Sequence, residues 1–233
     1  MIDIIKPTLL INKEKSIRNI EKIVNNLKDS KVDFRPHFKT HQSLEIGRWF
    51  KKYGINKITV SSVRMAKYFS KEWDDITIAF PINILEIDDI ISLQEKIKIN
   101  ILVDSYDVLS LLENKLRNTI NIYLKVNVGY DRAGVDYNSG LIENIISYCD
   151  SSSKLNFVGF LSHFGDTYNS KSSEDIHNSF DSSLDKISYL NKNYPDLEIS
   201  IGDTPSSSLI KKYPDFVTEI RPGNFIFYDL DQL

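Results

Sequence analysis

The chain has 233 residues, 41% apolar and 26% charged, with a formal net charge of −3 and one cysteine. A chain of this size and composition buries its own core without disulfide staples, and a lone Cys149 excludes both an internal disulfide and a multi-cysteine zinc centre. Basic residues are scattered, with Lys51-Lys52 and Lys211-Lys212 the only Lys/Arg doublets, so nucleic acid is not an expected partner.

The apolar run around Ile4-Ile5 is short and broken by Asp3 and Lys6, unlike a signal peptide. No stretch approaches the roughly 20 apolar residues of a membrane span, and a cytoplasmic location is the expectation. Residues 13–29 then place Ile17, Ile20, Ile23, Val24 and Leu27 on one helical stripe. Strands are expected over 32–37, 57–60, 76–80, 99–103, 120–126, 156–161, 197–201 and 217–221. Helical patterns separate them, including 44–53, a start at Asn83 with Glu86 three residues on, and the longest over 174–193. Alternating βα units imply a parallel sheet, and eight of them close into a (β/α)8 TIM barrel. The rival doubly wound sheet lacks its glycine fingerprint here. The α/β barrel is expected to span residues 1–229 as one domain.

Five polar clusters follow strand ends: 35–41, 129–134, 162–165, 202–206 and 221–224. In a barrel these ends share one rim, where active sites are built. Lys39 closes the first strand. Desolvation there lowers a lysine pKa and makes the amine nucleophilic, as imine formation requires; a rim ion pair or phosphate contact is the alternative. Arg35, His37 and His41 are expected to surround it. Thr204, Ser206 and Ser207 offer hydroxyls and Gly202 and Gly223 close backbone approach, which suits a phosphate cradle with a short helix over 206–210. Serine-rich helix capping explains the same residues equally well. Arg132 and His163 would place a guanidinium and a ring near Lys39. Cys149, Trp49 and Trp73 fit core packing, and His177 a solvated helix face.

At these residues the sequence resembles the D-threonine aldolase and D-serine dehydratase group of fold-type III pyridoxal-phosphate enzymes, which shares its barrel with the alanine racemase N-terminal domain. The similarity runs from Lys6-Pro7-Thr8 to Tyr228-Asp229, and Arg35-Pro36-His37-Phe38-Lys39-Thr40-His41 matches the lysine motif. The resemblance implies that Lys39 forms the internal aldimine with pyridoxal 5'-phosphate. By the same match Arg132, in Asp131-Arg132-Ala133-Gly134-Val135, meets the phenolic oxygen and His163 the pyridine face. Thr204, Gly223 and Asn224 fall where the group binds phosphate, and Arg221 aligns with the arginine at the pyridine nitrogen of alanine racemases. Lys39 and His163 are thus the implied catalytic residues. The implied activity is a lyase acting on a small D-3-hydroxy amino acid, in a homodimer. An amino-acid racemase, a non-catalytic carrier of the cofactor and a cofactor-free phosphate-binding barrel are the alternatives.

Members of the group continue into a β-rich C-terminal domain that carries a divalent-metal pair, a histidine and a cysteine or aspartate two apart. This sequence stops at Leu233 without such a pair. Residues 230–233 are therefore read as the start of a connection to a missing domain, with no metal ligands in the chain. Val63-Arg64-Met65-Ala66 also lacks the acidic residue that many members carry there.

Overall fold

The structure is a computed structural model that describes residues 4–228; residues 230–233, expected to begin the connection, lie outside the described residues. Its elements run α1 (Lys13–Leu27), β1 (Asp33–Phe34), α2 (Leu44–Lys51), β2 (Lys57–Val60), α3 (Val63–Phe69) and β3 (Asp75–Pro81). A 3-10 turn then leads into α4 (Ile87–Gln94), β4 (Lys98–Val103), α5 (Asp107–Lys115), β5 (Ile120–Asn127), β6 (Val135–Asp136), α6 (Leu141–Ser151) and β7 (Leu155–Ser162). Last come α7 (Ser173–Asn193), β8 (Glu198–Ile201), α8 (Thr204–Leu209) and β9 (Glu219–Ile220). Local capping explains several starts. Asn12, Ser43, Ser62, Ser172 and Asp203 each accept an N–H of the helix that follows. The Val63–Ala66 block is thus the first turn of α3.

The strands are parallel and ordered β1-β9-β8-β7-β5-β4-β3-β2. A single bridge closes the barrel: Phe38 N–H donates to Thr59 O and Thr59 N–H to Pro36 O, both at 2.9 Å. The eight barrel strands match the expectation. β6 is a two-residue addition that pairs with the end of β5 and has no counterpart among the expected strands.

The first strand is shorter than expected for a physical reason. Arg35 and His37 still donate to Ile220 O and Pro222 O, at 3.0 and 2.9 Å. On the opposite edge Pro36 has no N–H to give to β2, so that ladder cannot run.

Strand alternation divides the buried residues into two sets. Ile58, Ile76, Ile99, Ile122, Leu124 and Ile199 face outward and join Ile20, Ile23, Leu109, Ile145 and Ile187 of the helices in one core. Leu102, Tyr123 and Leu161, with Ala79 and Val158, form a small separate cluster inside the barrel. The rest of the buried interior is strongly polar and includes Arg35, Thr59, Thr77, Asn100, Lys125, Ser200, Glu219 and Arg221.

Candidate active site

A cavity of about 280 Å³ opens at the carboxyl ends of the strands. Lys39, Arg132, His163, Arg221, Gly223 and Asn224 line it, so six of the seven expected site residues meet in one place. The seventh, Thr204, is fully buried at its edge, where its Oγ1 accepts from Gly223 N–H at 3.3 Å and Asn224 N–H at 3.1 Å. Thr204 N–H donates to the Tyr168 hydroxyl at 3.1 Å. The Gly223 and Asn224 N–H groups therefore converge on the Thr204 hydroxyl at the cavity edge, while the Thr204 N–H is taken by Tyr168.

Each side chain is placed by local structure. Asn127, ending β5, accepts the N–H groups of Gly129 and Asp131 at 3.1 and 3.2 Å and so folds back the loop that carries Arg132. The Arg132 guanidinium lies 5.4 Å from the centre of the Tyr130 ring, which stands edge-on to His163. His163 Nδ1 sits 2.7 Å from Gly202 O. A carbonyl can only accept, so this nitrogen carries the proton and Nε2 the lone pair. Burial drives the His163 pKa to about 3, with the Gly202 bond opposing and Lys125, Arg132 and Lys39 adding to the drop. The ring is neutral at neutral pH.

Among the described residues Asp203 is the one carboxylate in the cavity wall. Burial raises its pKa to about 6, against bonds from Ser206 and Thr167. Those bonds settle the two readings of the serines. Ser206 Oγ donates to Asp203 Oδ1 at 2.5 Å and Ser207 Oγ to Asp203 O at 2.7 Å, so both hydroxyls cap and back-bond α8. Of the three expected cradle hydroxyls only that of Thr204 faces the converging N–H groups.

The expected neighbours of Lys39 also need correction. Arg35 points towards the opposite barrel end, where Nε and Nη1 hold Glu219 and Asp75 at 2.6 Å each. His41 lies beyond the strand among Phe38 and Phe50, its ring centres 4.4 and 5.9 Å from theirs. His37 does line the cavity, and its Nδ1 accepts Lys39 N–H at 3.4 Å. The Lys39 side chain is exposed at the mouth. Its pKa is nevertheless lowered, first by the desolvating walls around its base and then by Arg132 and Arg221.

Lys125 was missed altogether. It is 7% exposed, and among the described residues no carboxylate pairs with it. Burial, then Arg221, Arg132 and Lys39, lower its pKa to about 7. The signal was present in 120–126, where Asn121, Tyr123 and Lys125 alternate with Ile120, Ile122, Leu124 and Val126. An unfolded lysine titrates near 10.4. Between pH 7 and that value the unfolded chain binds a proton at Lys125 that the folded chain does not, so folding stability rises with pH, by up to about 1.4 kcal/mol per unit. The stability is lost as pH falls through the same window. We expect the urea midpoint to climb from pH 7 to pH 9 and to climb less in Lys125→Met, which should also be the more stable protein at pH 7. Parallel curves for the two would sink this assignment.

Residues 11–231 match the alanine racemase N-terminal domain family. The D-serine dehydratase of Dictyostelium discoideum is 32% identical over 225 residues, 85% of this chain and 56% of that protein. The chain belongs to the alanine racemase N-terminal domain family. Two solved structures share the family barrel. The D-threo-3-hydroxyaspartate dehydratase of Delftia sp. superposes with a TM-score of 0.84 at 21% identity, over 95% of this chain and 61% of that one. The D-threonine aldolase of Filomicrobium marinum gives 0.86 at 19% identity, over 97% and 63%. The chain thus spans less than two thirds of the length of these relatives. Among the described residues no helix is long and apolar enough to cross a membrane.

Proposed function

We propose that this chain is the cofactor-binding barrel of a pyridoxal-phosphate-dependent lyase acting on D-3-hydroxy amino acids, with Lys39 as the residue that attaches the cofactor. The observation that carries this reading is the charge of the cavity. Lys39, Arg132 and Arg221 meet there against one carboxylate among the described residues, Asp203, while both lining histidines are held neutral. Such a site calls for a ligand with several negative charges, and a phosphate with a phenolate supplies them. The named relatives act on D-serine, D-threo-3-hydroxyaspartate and D-threonine, which share a hydroxyl on the β-carbon.

In this reading Thr204 with the Gly223 and Asn224 N–H groups holds the phosphate, Arg132 the phenolic oxygen, and Arg221 the ring nitrogen side. His163 supplies an uncharged ring against the pyridine face, its orientation fixed by Gly202. The bound cofactor supplies a sink for the electron pair left on the substrate α-carbon. With the cofactor bound, Lys39, which lines the cavity and has a lowered pKa, would be the group placed to hold a proton taken from that carbon. The described residues contain no group of three His, Cys, Asp or Glu side chains able to hold a metal ion. Assembly as a homodimer belongs to the same proposal.

The test is chemical capture. Protein mixed with pyridoxal phosphate is reduced with borohydride, digested and mapped by mass. A pyridoxyl group on the peptide containing Lys39 is expected; no label on folded protein, or a label spread over surface lysines, would overturn the reading.

A further inference from the structure

Arg221 is held from beneath by a hydrogen-bonded series of buried groups. Glu219 and Arg221 are two residues apart and so share the interior face of the last strand, and β8 sets Ser200 opposite Glu219. Arg221 Nε donates to Ser200 Oγ at 2.7 Å, and that hydroxyl donates to Glu219 Oε1 at 2.7 Å. Glu219 Oε2 accepts from Arg35 Nε at 2.6 Å, and Arg35 Nη1 reaches Asp75 Oδ1 at 2.6 Å. Ser200 is fully buried, Glu219 and Arg35 are 3% exposed and Arg221 is 6% exposed.

The order of these groups fixes the direction of the hydroxyl. A guanidinium can only donate and a carboxylate only accept, so Ser200 must receive from Arg221 and give to Glu219. Successive bonds of one sense polarise each other, and more so out of water. Arg221 Nη2 donates to Ser162 O as well, which leaves the guanidinium little freedom to turn.

We propose that Ser200 and Glu219 are positioning residues that fix the angle and the positive charge of the Arg221 guanidinium where it faces the cavity. Arg35 restrains Glu219 from the far side and does not touch the site. The inference rests on the reading that this cavity holds pyridoxal phosphate. A group that merely fills the barrel would affect stability and nothing else, whereas a group that positions Arg221 alters the bound cofactor. The two halves of the series separate these roles, because Ser200 touches Arg221 and the Arg35–Asp75 pair does not.

Wild type, Ser200→Ala, Ser200→Thr, Glu219→Gln and Asp75→Asn are compared for pyridoxal phosphate affinity, the visible absorption maximum of the bound cofactor, and urea midpoint. Ser200→Ala is expected to weaken affinity about tenfold, as for loss of a hydrogen bond to a charged group, and to displace the band. Ser200→Thr keeps the hydroxyl and should restore both. Glu219→Gln should displace the band in the same sense, while Asp75→Asn, at the far end of the series where it touches Arg35 and not Glu219, lowers the urea midpoint and leaves the band in place. If Ser200→Ala keeps the wild-type band and affinity, or if affinity in all variants simply tracks the urea midpoint, the proposal is overturned. If wild type takes up no cofactor, it is the proposed function that fails. Hydrogen exchange at Arg221 Nε then decides the inference: slower in wild type than in Ser200→Ala supports it, and equal rates refute it.

Discussion

Lys39→Ala is expected to lose all borohydride-fixed cofactor while still binding pyridoxal phosphate reversibly. The expectation follows from how the cavity divides its tasks. The groups that converge at Thr204 come from the last two strand ends, and Arg132 from the loop after β5, so none depends on Lys39. Removing the lysine takes away the only cavity-lining primary amine among the described residues and leaves the anion contacts intact. Lys125 is the instructive rival. Its amine is more fully buried and its pKa lies at about 7, so it is reactive in principle, but it does not line the cavity. A label that moved to the peptide containing Lys125 in this variant would show that the two amines are interchangeable and would sink the special role given to Lys39. Loss of reversible binding with the fold intact would equally refute the division of tasks.

Gly159→Ala is expected to be the most damaging small substitution in the barrel. A Cβ built there would lie 2.1 Å from the Glu198 carbonyl oxygen and 2.7 Å from its carbon, both main-chain atoms. Neither can move without breaking the approach of β7 to β8. We expect a loss of about 3 kcal/mol or more, which corresponds to roughly 6–12 °C in Tm for a domain of this size. Gly54→Ala is the control. Its φ is +75° with nothing within 4 Å of the added atom, so only the left-handed backbone is penalised, by about 1–2 kcal/mol. Equal melting shifts for the two variants would remove the steric argument.

The glycine also sets the phase of its strand. The β5–β7 register pairs Ile122 with Phe157 and Tyr123 with Gly159, so one residue of β7 is extra. Val158 belongs to the interior cluster, yet after the bulge it is Leu161 that does so, while Phe160 joins the outer core. Two residues beyond Leu161, His163 therefore turns into the cavity. An unbroken alternation from Val158 would have turned it out.

This phase change marks the limit of what the sequence disclosed. The order of strands and helices was legible, because outward-facing residues such as Ile58, Ile76, Ile122 and Ile199 make apolar runs that helical segments separate. The rim was legible because polar residues crowd the strand ends. Counting along the chain could not give the inward direction of His163 past a bulge, nor show that Arg35, inward like Lys39, reaches down to Glu219 and Asp75. Lys125, Ser200 and Glu219 were overlooked for a related reason. They sit inside apolar runs, and a strand read for its outer face conceals the polar face that fills the barrel. Ser206 and Ser207 could not be divided between anion and helix cap until Asp203 was seen to take both.

The bridge that closes the barrel has a kinetic consequence. Between β1 and β2 only the Phe38 and Thr59 amides span the junction, since Pro36 offers no donor, whereas β5 and β7 pair along seven residues. Openings that need few bonds to break are the most frequent ones in a folded protein. Solvent deuterium should therefore enter at Phe38 and Thr59 well before it reaches Leu124 or Val126. Lys39 follows Phe38 directly, so the amine proposed to attach the cofactor sits beside this sparsely bonded junction of the sheet.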